Sequence, residues 1–162
     1  MRALSTCPVP VIAAVDGFAV GIGTTLLLHC EFVYSTPSTV FMLPFINLAA
    51  VPEFGSSMLL PMHTGYVKAA EMLLLGDRFD SETALQYKLI NQICSSENLM
   101  ACAMATAAKL AGKSREALVQ SKALMRRDME PLGERIALES KEFAKRVASP
   151  EAKAAISGIL KR

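Results

Sequence analysis

Residues 10–25 hold the arrangement in this chain best suited to chemistry. Pro10-Val11-Ile12-Ala13-Ala14-Val15 is short, apolar and rich in β-branched residues, so it reads as a buried strand. Asp16-Gly17 then turns the chain, and Gly21-Ile22-Gly23 leads into Thr24-Thr25-Leu26-Leu27-Leu28, the first turns of a buried helix. Glycines at a strand-to-helix step leave backbone N–H groups unhindered, and the helix N-terminus adds partial positive charge. That is the construction of an anion or oxyanion site. The plainer alternative is that the same glycines only let strand and helix pack closely.

The other polar candidates are isolated. His29 falls on an apolar helix with no Ser or Cys at triad distance in sequence, and His63 is near a helix end, so both read as core or surface residues. Cys7, Cys30, Cys94 and Cys102 show no C-x-x-C spacing and no paired histidines, which fits small buried thiols and no metal site. Glu53 stands in Pro52-Glu53-Phe54-Gly55-Ser56-Ser57, at the start of a helix, where the dipole stabilises an acid.

Positioning these residues requires a core, and 162 residues suffice for one domain with a sizeable interior. Hydrophobic residues make up 52% and aromatics only 6%, so Ala, Leu and Met fill that interior, as closely packed helices need. A formal charge of +2 with no Lys/Arg block argues against nucleic acid. The apolar run 9–28 is broken by Asp16-Gly17; an Asp at a bilayer centre costs about 3 kcal/mol, so no membrane span is expected. Without a signal-peptide pattern, and with cysteines that read as small buried thiols, a cytoplasmic location is expected.

Short strands are expected at 32–35 and 40–42, around the turn Thr36-Pro37-Ser38-Thr39, with Pro44 ending the second. Helices are expected over 58–63, 66–75 and 82–88, the last capped by Asp80-Ser81, before a strand at 89–93. From Ser96 the pattern is helical: one element closes at Gly112, another covers 114–127, and a third opens at Pro131 with Leu132, Ile136, Phe143 and Val147 on one face. Ser149-Pro150 caps a last helix running to Lys161-Arg162. The division is a mixed α/β part, residues 1–95, and a helical part, residues 96–162.

Three segments in order resemble the crotonase superfamily, the enoyl-CoA hydratase/isomerase family of acyl-CoA enzymes. They are residues 10–23, then Gly76-Asp77-Arg78-Phe79-Asp80-Ser81-Glu82-Thr83-Ala84, then Ser149-Pro150-Glu151-Ala152. The resemblance runs essentially end to end. It implies an α/β crotonase-like fold, a spiral of ββα units, followed by a C-terminal helical trimerisation region. It also implies an acyl-CoA thioester as substrate, no cofactor beyond the coenzyme A that the substrate carries, and a homo-oligomer, trimer or dimer of trimers. In the family two backbone N–H groups hold the thioester oxygen while an enolate forms. Matching the motif makes the Ile22 N–H the second of those donors, with Phe18, Val20, Gly21, Phe45 and Phe54 as substrate-binding residues.

Hydratases of the family carry two glutamates. The corresponding positions here are Thr25 and Phe45, and neither can move a proton between water and substrate. The Pro52 to Ser57 segment instead resembles that of the Δ3,Δ2-enoyl-CoA isomerase branch, in which the glutamate is the single base. The resemblance thus implies Glu53 as proton shuttle in shifting a 3-enoyl-CoA to a 2-enoyl-CoA, with Phe45, Phe54, Leu43 and Met58 keeping the acyl slot dry. The alternatives are an enoyl-CoA hydratase of fatty-acid β-oxidation and a catalytically silent assembly module.

Two departures from the family pattern stand out. Residues 1–4 resemble the inside of a family helix, so the chain is expected to be the C-terminal part of a subunit, N-terminally truncated and lacking the loop with the first oxyanion donor. Lys88 replaces a usual glycine before the 89–93 strand; a left-handed lysine there costs about 1 kcal/mol. Lys161 and Arg162 either reach a CoA phosphate or form a solvated terminus.

Overall fold

The computed structural model describes residues 1–126, 141, 145, 148–150 and 152–154. After the short α1 (Arg2–Ser5), β1 (Ile12–Val15) lies parallel to β3 (Phe32–Ser35), with Ala13 opposite Val33. β3 in turn pairs in parallel with β6 (Gln92–Ile93). A second sheet places β2 (Phe18–Val20) parallel to β4 (Val40–Met42), and β4 antiparallel to β5 (Arg78–Asp80). Gly17, at φ 78°, makes the turn that passes the chain from the first sheet to the second.

β2 was not expected from the sequence. It alternates sides over three residues: Ala19 is buried in the core, while Phe18 and Val20 share the exposed face. The expected helix after the glycines is α2 (Ile22–Thr25), which tightens into a 3₁₀ turn over Leu26–His29. α3 (Ser56–Thr64) and α4 (Tyr66–Leu75) follow, separated by Gly65 at φ 77°. Asp80 accepts from the Thr83 N–H and caps α5 (Ser81–Gln86), as expected.

Phe41, Leu43 and Leu60 are fully buried, and Leu27, Leu28, Val33, Ala69 and Met72 pack around them. Buried hydroxyls tie α5 beneath this core: Ser35 Oγ donates to Ser81 Oγ at 2.9 Å, and Ser81 Oγ donates to the Thr36 carbonyl at 2.7 Å. α6 (Leu99–Ala111) brings Leu99 and Ala103 onto Tyr34 and Cys94, and the Tyr34 hydroxyl meets Thr106 Oγ1 at 2.6 Å.

The chain forms two compact units, Met1–Leu110 and Ala111–Arg162. The sequence division falls after residue 95, but α6 stays with the first unit because its apolar side packs on β3. In the second unit, Ser114 caps α7 (Arg115–Met125) through the Ala117 N–H. Ser149 Oγ accepts from the Ala152 N–H, which is the cap expected at Ser149-Pro150. Leu132, Ile136, Phe143 and Val147, the face expected of a helix from Pro131, lie outside the described residues, as do Lys161 and Arg162.

Candidate active site

The glycine corner is built on one unusual backbone. Gly21 has φ 56° and ψ −115°, a conformation that suits glycine, and a Cβ placed there would meet nothing within 4 Å. Its N–H donates to the Met42 carbonyl at 2.9 Å, and its own carbonyl accepts the N–H groups of Thr24 and Thr25. Thr24 Oγ1 donates to the Ala19 carbonyl and so fastens α2 to β2. Ile22 opens α2, and its N–H has no hydrogen-bond partner among the described residues. A donor without a partner, on an open face beside a glycine, is what an oxyanion site requires.

One helical turn on, Thr25 is fully buried and its Oγ1 lies 2.6 Å from Glu53 Oε1. The carboxylate has no proton to give, so the threonine donates. Oε2 of Glu53 makes no hydrogen bond among the described residues. The turn that delivers Glu53 is tight. Phe54 and Gly55 both have positive φ, 55° and 75°, and the Glu53 carbonyl accepts from the Ser56 N–H and from Ser56 Oγ.

His29 meets this turn from the end of the 3₁₀ segment. Its ring stacks on Phe54 with centroids 4.0 Å apart, and its Nε2 lies 2.9 Å from the Phe54 carbonyl oxygen. Sequence reasoning missed both Thr25 as a partner and His29. The available signal was spacing: Ile22, Thr25 and His29 stand at i, i+3 and i+7, one face of a helical segment.

Of the expected site residues, Ile22, Gly21, Glu53 and Phe54 gather around α2 and its 3₁₀ extension. Phe18 and Val20 share the exposed face of β2, and Ile22, just past Gly21, is exposed as well. Phe45 and Leu43 are buried in the hydrophobic core, whereas Met58 is exposed. Cys94 is buried, and burial first, then neighbouring Cys102, pushes its thiol up to about 11, which leaves it a poor nucleophile. An open cavity of about 430 Å³ lined by Lys68, Glu71, Arg78 and Asp80 shares no residue with the Glu53 site. Among the described residues no helix is long and apolar enough to cross a membrane.

Comparison with known proteins agrees with the resemblance. The profile of the enoyl-CoA hydratase/isomerase family matches residues 1–161. A mitochondrial enoyl-CoA hydratase of Pongo abelii is 32% identical over 154 residues, covering 94% of this chain and 53% of that protein. A 1,2-epoxyphenylacetyl-CoA isomerase of Escherichia coli is 36% identical over 111 residues, 68% of this chain and 42% of that one. A solved structure from Magnetospirillum magneticum AMB-1, assigned as an enoyl-CoA hydratase/carnithine racemase, superposes with a TM-score of 0.96 at 46% identity, covering 99% of this chain and 64% of that one. This chain thus spans about half the length of the curated relatives it matches.

Proposed function

The chain belongs to the enoyl-CoA hydratase/isomerase family, and on that footing we propose that it serves an enzyme shifting a 3-enoyl-CoA to a 2-enoyl-CoA, with Glu53 as the single proton shuttle. The Ile22 N–H holds the thioester oxygen as charge builds on it. Glu53 takes a proton from C2 of the acyl chain, a dienolate forms, and the same carboxyl returns the proton at C4. No water enters and none leaves, so one carboxylate suffices.

The observation that carries this reading is the Thr25–Glu53 hydrogen bond. Thr25 is three residues after Ile22, a rise of about 4.5 Å along a helix, so the bond ties the carboxylate within about one turn of the oxyanion donor. Thr25 itself and the core residue Phe45 have no ionisable group with which to activate water. Phe18, Val20 and Ile22 offer apolar surface beside the corner for an acyl chain.

Water addition to a 2-enoyl-CoA is the second reading, favoured by the hydratase among the relatives. The test compares the protein with its Glu53→Gln form on both substrates. Isomerisation is expected to fall by at least about two orders of magnitude, the usual size of an acid–base contribution. Isomerisation that survives within a few-fold assigns the base elsewhere, and 3-hydroxyacyl-CoA formed from a 2-enoyl-CoA supports the hydratase reading. Assembly into a homo-oligomer belongs to the same proposal, supported by exposed Met58, Met62, Tyr66 and Val67 on α3 and α4. A native mass equal to one chain would remove it.

A further inference from the structure

Phe54 stands in a conformation that its own chemistry resists. A φ of 55° brings Cβ of an L-residue against the neighbouring carbonyl, and for a bulky aromatic such a conformation is an outlier. Strained backbone of this kind persists only where the surroundings over-determine it. Two sets of contacts do so here. Ser56 closes the turn onto the Glu53 carbonyl from one side. From the other side comes a single imidazole, which holds Phe54 by both its ring and its backbone. The stacking at 4.0 Å fixes the side chain, and the 2.9 Å contact fixes the carbonyl. A carbonyl oxygen only accepts, so His29 carries its proton on Nε2 and donates it.

The consequence falls on the preceding residue. Glu53 is anchored through one oxygen to one hydroxyl, and a single hydrogen bond leaves the carboxyl free to swing about it. The second attachment, four residues further along the same helical segment, pins Phe54 and with it the peptide plane that follows. Residues 53 and 54 are therefore tied at two points, Thr25 and His29, to the element that begins with Ile22. We propose that His29 is a positioning residue for the Glu53 carboxylate, acting through Phe54 to hold it in register with the Ile22 N–H. The proposal rests on the reading of Glu53 as the proton shuttle.

The experiment uses His29→Ala, which removes ring and donor; His29→Phe, which keeps a ring; and His29→Gln, which keeps an N–H donor. Glu53→Gln is measured in parallel. With a 3-enoyl-CoA, kcat of His29→Ala is expected to fall about tenfold to a hundredfold, as misplacing a reacting group by an ångström does. KM should stay within about twofold, and the Phe and Gln forms should each recover part of kcat. A crystal structure of His29→Ala should show Glu53 released from Thr25. An unchanged kcat in His29→Ala, with Glu53→Gln inactive, overturns the proposal while leaving the shuttle reading intact. If Glu53→Gln stays active, the shuttle reading fails. In that case the crystal structure decides the positional claim, and a retained Thr25–Glu53 bond overturns it. Should His29→Ala not fold, the Phe and Gln forms carry the same comparison, and full kcat in both overturns the proposal.

Discussion

Thr25 Oγ1 and Glu53 Oε1 lie 2.6 Å apart although 28 positions separate them in the chain. The hydroxyl has one proton, and the Ile22 carbonyl at 3.5 Å is the poorer acceptor, so the carboxylate receives it. This bond occupies one carboxylate oxygen, Oε1. Thr25→Val keeps the shape of the side chain and deletes the donor. In the isomerase assay kcat is expected to fall about tenfold through loss of orientation, and Thr25→Ser should restore it to within a few-fold. Equal rates in all three would leave the hydroxyl with no part in holding the base.

Ile22 permits a separation of backbone from side chain. Ile22→Ala keeps the backbone N–H, so kcat should change little, and the lost apolar surface should show in KM alone. Ile22 is also the first residue of α2, the helical position where proline is best tolerated. Ile22→Pro deletes the donor, and kcat/KM is expected to drop by the equivalent of about 3 kcal/mol of transition-state stabilisation. Circular dichroism of the proline form must match the parent, and a matched fold with an unchanged rate would sink the oxyanion assignment.

Much of this fold was legible because the chain punctuates it. Strands 32–35 and 40–42 and helix 66–75 are bounded by Pro37, Pro44, Gly65 and Gly76, and all three lie where expected. β2 and β5 were not legible. Each has three residues, too few to show a period, and each exists by pairing with β4, where Phe79 stacks on Phe41 at 5.5 Å. The expected strand 89–93 shortens to Gln92–Ile93, since Leu89 and Ile90 are spent closing α5 and filling the core. Gly21, Ile22 and Glu53 were singled out from local motifs, and the structure gathers them around α2. The pairs Thr25–Glu53 and His29–Phe54 were not, because such contacts exist only once the chain from β4 folds back over α2.

Lys88 occupies the left-handed position that ends α5, at φ 63°. The Leu89 N–H donates to the Ala84 carbonyl and the Lys88 N–H to the Leu85 carbonyl, the paired bonds of a Schellman motif. Glycine suits that position, and the lysine side chain is exposed. Lys88→Gly is therefore expected to stabilise the protein by about 1 kcal/mol, less the entropy glycine gives the unfolded chain. A chemical denaturation curve reads this as a higher midpoint at constant slope. A lower midpoint would mean that the lysine side chain makes a compensating contact.

At the other end of the same helix, Asp80 sets a pH dependence. The Thr83 hydroxyl and then the Thr83 backbone N–H hold its carboxyl below the usual carboxylate range. Between the unfolded and folded values the unfolded chain binds more protons, so stability rises with pH there. The contribution is complete above the ordinary aspartate value of about 3.9 and is lost as pH falls through the lowered folded value. At neutral pH Asp80→Ala should cost about 1 kcal/mol, the usual worth of an N-cap. Urea unfolding of both forms from pH 7 to pH 2 is expected to show their difference constant to about pH 5 and shrinking below it. Asp80→Asn keeps a cap and cannot titrate, so its stability should not show this loss. A difference between parent and Asp80→Ala that held constant to pH 2 would mean that the neutral acid caps α5 as well as the carboxylate does.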